Sequence, residues 1–333
     1  MQRLVRRVTA PIIGPMSMHS SSMIQRSFPR AIDAHCHLHD ARLEDHVDVV
    51  LNRAAAWNLT HIATCACYED DWNTLERLLS MIKATDAGES TKAKKSVTVV
   101  PSFGVHPWWA NAKSDQYLDL LRDKLTRHPE ATLGEIGLCK SARGKQVDRG
   151  VQEQVFVDQL RLAAELLRPC VIHCVGAYGK LLELLETEKR QNRLPPIIIL
   201  HSFSGAADMV TAFLALQHKA DVKVFFSLNA KQLSGPASQD KEAKPSKGEF
   251  VCSKVPLDAL LLETDAPDQP PPMSLAMEFY ENSDEMPLIQ GGLNDPCLVQ
   301  LAIQRAARIY GMVAEDLAAE VYKNSVLALR LDS

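Results

Sequence analysis

The chain of 333 residues lacks several features that would place it in familiar classes. No run approaches the ~18 consecutive apolar residues of a membrane-spanning helix, so no membrane partner is expected. The eight cysteines, at 36, 65, 67, 139, 170, 174, 252 and 297, contain no Cys-x-x-Cys pair and no small-domain disulfide framework. Several lie within apolar runs, where cysteine acts as a small hydrophobe, and a reducing compartment is the simpler reading. There is no excess of positive charge: 37 Lys and Arg against 41 Asp and Glu leave a net charge of −4, so any nucleic-acid contact must come from a local basic patch. The first 32 residues hold no acid, but carry Arg3, Arg6, Arg7, Arg26 and Arg30 with serines at 20–22. That is the composition of an organellar transit peptide. A disordered tail, or a start upstream of Met16, Met18 or Met23, fits equally. Residues 1–29 are therefore read as a targeting or disordered tail, with a mitochondrial or plastid location in the first case and a cytoplasmic one otherwise. Residues 30–333 are read as one domain, and no obligate protein partner is evident.

What is present is a repeated alternation. Short apolar runs at 31–36, 60–66, 97–105, 131–136, 169–174, 196–201, 222–228 and 259–264 are rich in Val, Ile and Leu without clean polar alternation. Such runs suit strands of a parallel sheet buried on both faces. Amphipathic stretches separate them. The clearest is 152–167, where Phe156, Leu160, Ala163 and Leu167 share a helical face; 45–57 and 176–188 follow more weakly. Eight such units predict an α/β fold of (β/α)8 TIM-barrel type. A doubly wound open sheet is the alternative, but no Gly-rich phosphate fingerprint follows the first strand. Residues 85–96 and 231–249 read as exposed loops, 267–273 as a rigid Pro-rich turn, and 274–295 as irregular. C-terminal helices are expected at 296–310 and 314–330.

The chemistry sits where the strands end. The first runs into His35 and His37, the third into His106, the fourth into Glu135, the fifth into His173, the sixth into His201 and the eighth into Asp265. In a parallel barrel those ends surround one mouth. Alternate strand residues point the same way, so His35 and His37 project together, ~6–7 Å apart along the backbone. Two imidazoles on one face chelate a divalent ion. Adding Glu135, His173, His201 and Asp265 gives four nitrogens and two carboxylates. One ion needs fewer, and the set suits two bridged by Glu135. Each residue alone has a plainer role: a hydrogen-bonded strand-end histidine, a buried ion-pair partner for Glu135, an N-cap for Asp265. Their coincidence at independent strand ends favours the metal reading.

Around this set, Asp33 reads as an acceptor for a ligand histidine or for a strand N–H. His106 is a candidate substrate contact. Trp108 and Trp109 form a stacking wall or pack against the next helix, the latter being the simpler expectation. Lys140 and Arg143, with Lys145 and Arg149, form a basic cluster that reads as a solvated loop or a phosphate grip. Cys139 and Cys174 flank the proposed ligands, without a partner cysteine at zinc spacing.

The segments IDAHCHLHD (32–40), GVHPWW (104–109), GEIGL (134–138), VQEQVFVDQLRLAAELLRPCVIHC (151–174), ILHSFSG (199–205) and LLLETDAPDQPP (260–271) resemble, in order, those of the TatD-related metal-dependent hydrolases, the TatD-type DNases of the amidohydrolase superfamily. The resemblance spans 32–330. It implies that His35, His37, Glu135 and Asp265 hold one metal, that Glu135, His173 and His201 hold the other, and that Asp265 doubles as general base. It also implies two divalent ions (Mg²⁺, Mn²⁺ or Zn²⁺) and hydrolysis of nucleic-acid phosphodiesters, with DNA the expected substrate, often single-stranded and from the 3′ end. Two departures stand out. Cys139 follows GEIGL where the family commonly has Asp, and Val175 and Gly176 occupy a stretch where it usually has Arg. Loss of that guanidinium removes a bidentate phosphate partner. The resemblance makes a DNase the leading expectation, while the missing Arg and the acidic net charge favour the first of its alternatives. An ester or amide hydrolase, such as one acting on aminoacyl-tRNA, and a non-catalytic scaffold are the alternatives.

Overall fold

The computed structural model describes residues 27–88, 96–218, 220–235, 244–280 and 287–331. Eight parallel strands form one sheet in chain order: β1 (Ala31–Cys36), β2 (Leu59–Ala66), β3 (Thr98–Phe103), β4 (Thr132–Cys139), β5 (Cys170–Val175), β6 (Ile197–Leu200), β7 (Lys223–Asn229) and β8 (Leu260–Glu263). Helices α1 (Val47–Ala56), α2 (Glu69–Gly88), α3 (Tyr117–Arg127), α4 (Arg149–Glu165), α5 (Tyr178–Arg190) and α6 (Ala207–Leu214) follow the first six strands in turn. α7 (Lys247–Cys252) lies between β7 and β8, and α8 (Met273–Ala276), α9 (Pro287–Gln290), α10 (Val299–Tyr310) and α11 (Ala314–Ala328) complete the chain. This is the expected (β/α)8 barrel. Among the described residues no helix is long and apolar enough to cross a membrane.

Strand runs such as IIIL of β6 and LLLE of β8 are wholly buried because helices cover one face and the barrel interior the other. The apolar core divides accordingly. An outer layer joins strands to helices. An inner plug contains Ile32, Ala63, Val171, Ile199, Phe225 and Leu261, with Ala328 and Leu329 at the end of α11 packed into it. The pairing of β1 with β2 shifts register between Asp33 and Cys36. Such a bulge re-phases side-chain alternation. Ala34 joins Ile32 in the inner plug while Cys36 packs in the outer layer, so His35 and His37 both reach the mouth.

The meeting of β1 and β8 is fastened by particular groups. The buried Asp33 carboxylate accepts hydrogen bonds from the Thr264 N–H (2.9 Å) and hydroxyl and from the His35 N–H (3.3 Å). The Asp265 N–H donates to the His35 carbonyl (2.9 Å) and the His37 N–H to the Ala266 carbonyl (2.7 Å). Asp33 is thus an acceptor for backbone N–H groups, as one of its two readings held. Asp265 does not cap a helix: its backbone is left-handed (φ 60°), and α8 starts later, after Pro272.

Several boundaries differ from expectation, among them the segment expected to be irregular at 274–295, which carries α8 and α9, and β3, which ends at Phe103. β4 runs on to Cys139 because Gly137, Leu138 and Cys139 pair with His173, Cys174 and Val175. α2 continues to Gly88 into the segment expected as a loop, and the rest of that segment, 89–95, lies outside the described residues. The second expected loop ends in α7, started by a capping box between Ser246 and Glu249; residues 236–243 lie outside the described residues, as do 281–286 and the tail reading over 1–26.

Candidate metal centre

Glu135 is the hub. It stands on β4 between two glycines that admit no side chain. A Cβ on Gly134 would lie 2.6 Å from the Val171 Cβ, and one on Gly137 would lie 1.9 Å from the His173 carbonyl oxygen. Gly137 also has φ 144°, a conformation L side chains rarely adopt. The GEIGL motif therefore lets β4 press against β5 and brings Glu135 beside His173.

The two carboxylate oxygens face different partners. Oε1 lies 2.8 Å from His173 Nδ1, 2.8 Å from His201 Nε2 and 3.5 Å from His106 Nε2. Oε2 lies 3.6 Å from His35 Nε2 and 3.7 Å from His37 Nε2. Asp265 Oδ1 completes the second group, 3.6 Å from His35 Nε2 and 3.5 Å from His37 Nε2. All six residues expected from the strand ends thus converge.

Outer contacts set which nitrogen each ring presents. His37 Nδ1 is 2.8 Å from the Cys65 carbonyl, which only accepts, so this nitrogen carries a proton and Nε2 is the atom turned to the centre. His35 Nδ1 meets the Cys65 thiol at 3.3 Å. Its Nε2 is buried, without any hydrogen-bond partner, and aimed between the two carboxylates. An orphaned buried nitrogen is costly unless something binds it, so this donor set fits a divalent cation. His201 directs Nε2 inward and Nδ1 toward Glu263 Oε1 at 3.5 Å.

His106 lies near enough to join the His173 group, but its hydrogen bonding assigns it elsewhere. Nδ1 accepts the Trp108 N–H at 3.1 Å, so the neutral ring carries its proton on Nε2. Burial, with the neighbouring His173, pushes its pKa well down and keeps it neutral. It is an N–H donor pointed at the centre.

The electrostatics suit metal binding. Burial alone would raise the Glu135 carboxyl, but His201, His106 and His173 outweigh it and hold the group ionised, well below the usual range. Burial, then His201, pushes His35 well down, leaving a free base. For His37 burial is outweighed by Cys67, Asp265 and Glu135, and for His201 by Glu135 and Glu263; both are raised. The Cys139 thiol, although buried, is lowered to about 7 by the His173 ring and Ser141.

Above the centre opens a cleft of about 1950 Å³. Trp108 and Trp109 line it rather than only packing against a helix, correcting that expectation. Arg143 lies over both rings, 4.5 and 4.8 Å from their centroids, and the Tyr68 ring packs at a tilt against Trp109, centroids 4.4 Å apart. The rest of the basic cluster does not join it. Lys140 is exposed, with its stem over Gly176 and outside the cleft lining, and Arg149 pairs with Glu153. Val175 lines the cleft where an Arg was missed.

Two groups at the centre were not singled out from the sequence. Glu263, fully buried, also accepts from the Ser202 N–H (2.8 Å) and the Ser227 hydroxyl. Its signal was an acid two residues before Asp265 at a strand end. Cys67 places its thiol 3.8 Å from Glu135 Oε2.

A (β/α)8 barrel with His, Glu and Asp gathered at the carboxyl ends of its strands is a scaffold suited to a metal-dependent hydrolase. The profile described as TatD related DNase matches residues 32–330, and the chain belongs to that family. Uncharacterized metal-dependent hydrolase YjjV of Escherichia coli (strain K12) is 28% identical over 243 residues, covering 72% of this chain and 81% of that protein. The 3'-5' ssDNA/RNA exonuclease TatD of Pantoea vagans (strain C9-1) is 29% identical over 259 residues, covering 75% and 87%. The YjjV crystal structure matches with a TM-score of 0.68 at 22% identity, covering 91% of this chain and 99% of that one. A TatD family hydrolase from Entamoeba histolytica matches with a TM-score of 0.70 at 18% identity, covering 91% and 99%. These structures share the fold.

Proposed function

We propose that the chain is a two-metal phosphodiesterase that trims single-stranded nucleic acid, DNA foremost, from the 3′ end. The observation that carries this is the division of Glu135: one oxygen faces His173 and His201, the other His35 and His37 with Asp265 opposite. On this reading His35, His37, Glu135 and Asp265 hold one ion, and Glu135, His173 and His201 the other. Two divalent ions there (Mg²⁺, Mn²⁺ or Zn²⁺) would neutralise the scissile phosphate and acidify a water. Asp265, at the mouth of the cleft, would be the general base that receives a proton from such a water. His106 offers its Nε2–H to an oxygen of the phosphate. Arg143 and the Trp108–Trp109 wall supply a cation and aromatic faces, the combination that holds an unpaired strand by its backbone and bases. The relatives named as 3'-5' ssDNA/RNA exonucleases support this polarity and substrate.

A second reading, hydrolysis of a carboxylic ester or amide, draws on the acidic side of the cleft. Arg42 there is held by Asp40 and Asp268 (2.8 and 2.9 Å) and is not free to bind phosphate. End-labelled single-stranded DNA, duplex DNA, RNA, aminoacyl-tRNA and simple esters, each with Mg²⁺, Mn²⁺ and Zn²⁺, separate the two. Stepwise loss of 3′ nucleotides from single strands is expected, abolished by Asp265→Asn, with KM raised about tenfold by Arg143→Ala. Turnover of esters with all nucleic acids left intact would overturn the proposal.

A further inference from the structure

Cys67 stands just beyond the end of β2, pinned on both sides. Its N–H donates to Asp71 Oδ2 (2.6 Å), and its carbonyl accepts the His106 N–H (2.9 Å). The thiol lines the cleft, 3.8 Å from Glu135 Oε2. The same oxygen is 3.6 Å from His35 Nε2 and 3.7 Å from His37 Nε2. Bonds of about 2.0–2.1 Å to nitrogen or oxygen and about 2.3 Å to sulfur, at tetrahedral angles, put neighbouring donors about 3.3–3.6 Å apart. Measured from that one carboxylate oxygen, the thiol stands at nearly the distance of the imidazoles. Independently, His35 Nε2 is fully buried, has no partner, and is aimed into the same space.

We propose that the Cys67 sulfur is a donor to the ion held by His35, His37 and Glu135, and that it makes this position selective for zinc. The inference rests on the two-metal reading of the centre. Binding replaces the S–H bond by a sulfur–metal bond and releases the proton to solvent, with no change of oxidation state. Hard Mg²⁺ prefers oxygen donors, whereas thiolate favours zinc, so one soft donor discriminates between ions of equal charge. The neighbouring thiols are turned elsewhere. Cys65 Sγ meets His35 at Nδ1, the far side of the ring, and Cys139 Sγ is engaged by the Trp108 indole N–H and Ser141.

The test uses the full chain stripped of metal. Titration with Co²⁺ is expected to give ligand-field bands together with a near-ultraviolet sulfur-to-cobalt charge-transfer band. Cys67→Ser is expected to lose only the latter, and Cys65→Ser and Cys139→Ser to keep both. Zinc affinity, by chelator competition, is expected to fall about tenfold or more in Cys67→Ser with Mg²⁺ affinity unchanged. Zinc-edge absorption on the wild-type chain, expected to show a sulfur neighbour at about 2.3 Å, decides the matter even if the variant does not fold. Cobalt bound without the sulfur band or sulfur neighbour, or a band that survives Cys67→Ser, overturns the thiol ligand and leaves the two-metal reading standing. A chain that binds no cobalt or zinc at all overturns both.

Discussion

Replacing Asp33 by alanine will strip the junction of β1 and β8 of its shared acceptor. The carboxylate receives the Thr264 N–H and hydroxyl and the His35 N–H in a fully buried setting. Alanine leaves these three donors facing an apolar gap, and each unsatisfied buried group costs about 1–3 kcal/mol. Part of that is returned, since burial penalises the ionised carboxyl, as its raised pKa records. A net loss of about 3 kcal/mol is expected. Asparagine keeps an oxygen for both N–H groups and turns an amide to the Thr264 hydroxyl, which accepts as readily as it donates; its cost should be about 1 kcal/mol. Urea denaturation with matched slopes reads both values. A D33A chain within about 0.5 kcal/mol of wild type, or D33N as damaging as D33A, would refute the reasoning.

Glu135→Gln removes the one charge common to both donor groups, and hydrolysis should fall at least about a hundredfold, equivalent to about 2.7 kcal/mol. Plasma mass spectrometry should find the metal content falling with it. Because the folded Glu135 pKa lies well below 4.5, it stabilises the metal-free chain above that pH. This contribution is lost as pH falls through the lower folded value, which acid titration followed by circular dichroism will show. His37 and His201 titrate above 6.5 in the metal-free chain, so a metal must displace their protons. Apparent affinity should rise about tenfold per pH unit for each proton displaced, with release detectable by calorimetry in two buffers. Gly137→Ala puts a methyl against the His173 carbonyl in a strained backbone and should cost more than about 3 kcal/mol, read as lost soluble yield or a lowered denaturation midpoint.

Much of this was legible in residue order. Eight apolar runs separated by amphipathic stretches indicate a parallel α/β sheet, and the missing Gly-rich fingerprint after the first run favours a barrel over a doubly wound sheet. The placement of His35, Glu135, His173, His201 and Asp265 at run ends follows from where a barrel puts its mouth. Other features depend on distance between strands, which a linear pattern does not encode. Cys67 follows an apolar run and reads as filler until β2 is set beside Glu135. Trp108 and Trp109 have the composition of a packing pair until Arg143, on a different loop, is seen across them. Lys140 and Arg143 share one cluster in sequence, yet only Arg143 reaches the cleft. The bulge in β1 was equally hidden, since Ala34 and His35 carry no mark that alternation is re-phased there.

The division of Glu135 between two groups of histidines has a thermodynamic consequence. A carboxylate shared by two positions cannot serve them independently. On the proposed two-ion reading, the ion that arrives first would freeze the side chain for the second, lowering the entropy that remains to be lost, and at the same time would withdraw part of the negative charge the second meets. These effects oppose one another, and the second loading step carries their difference. Occupancy should therefore follow two unequal steps rather than one curve for equivalent sites, and a change confined to the His173 side should alter the affinity measured on the His35 side.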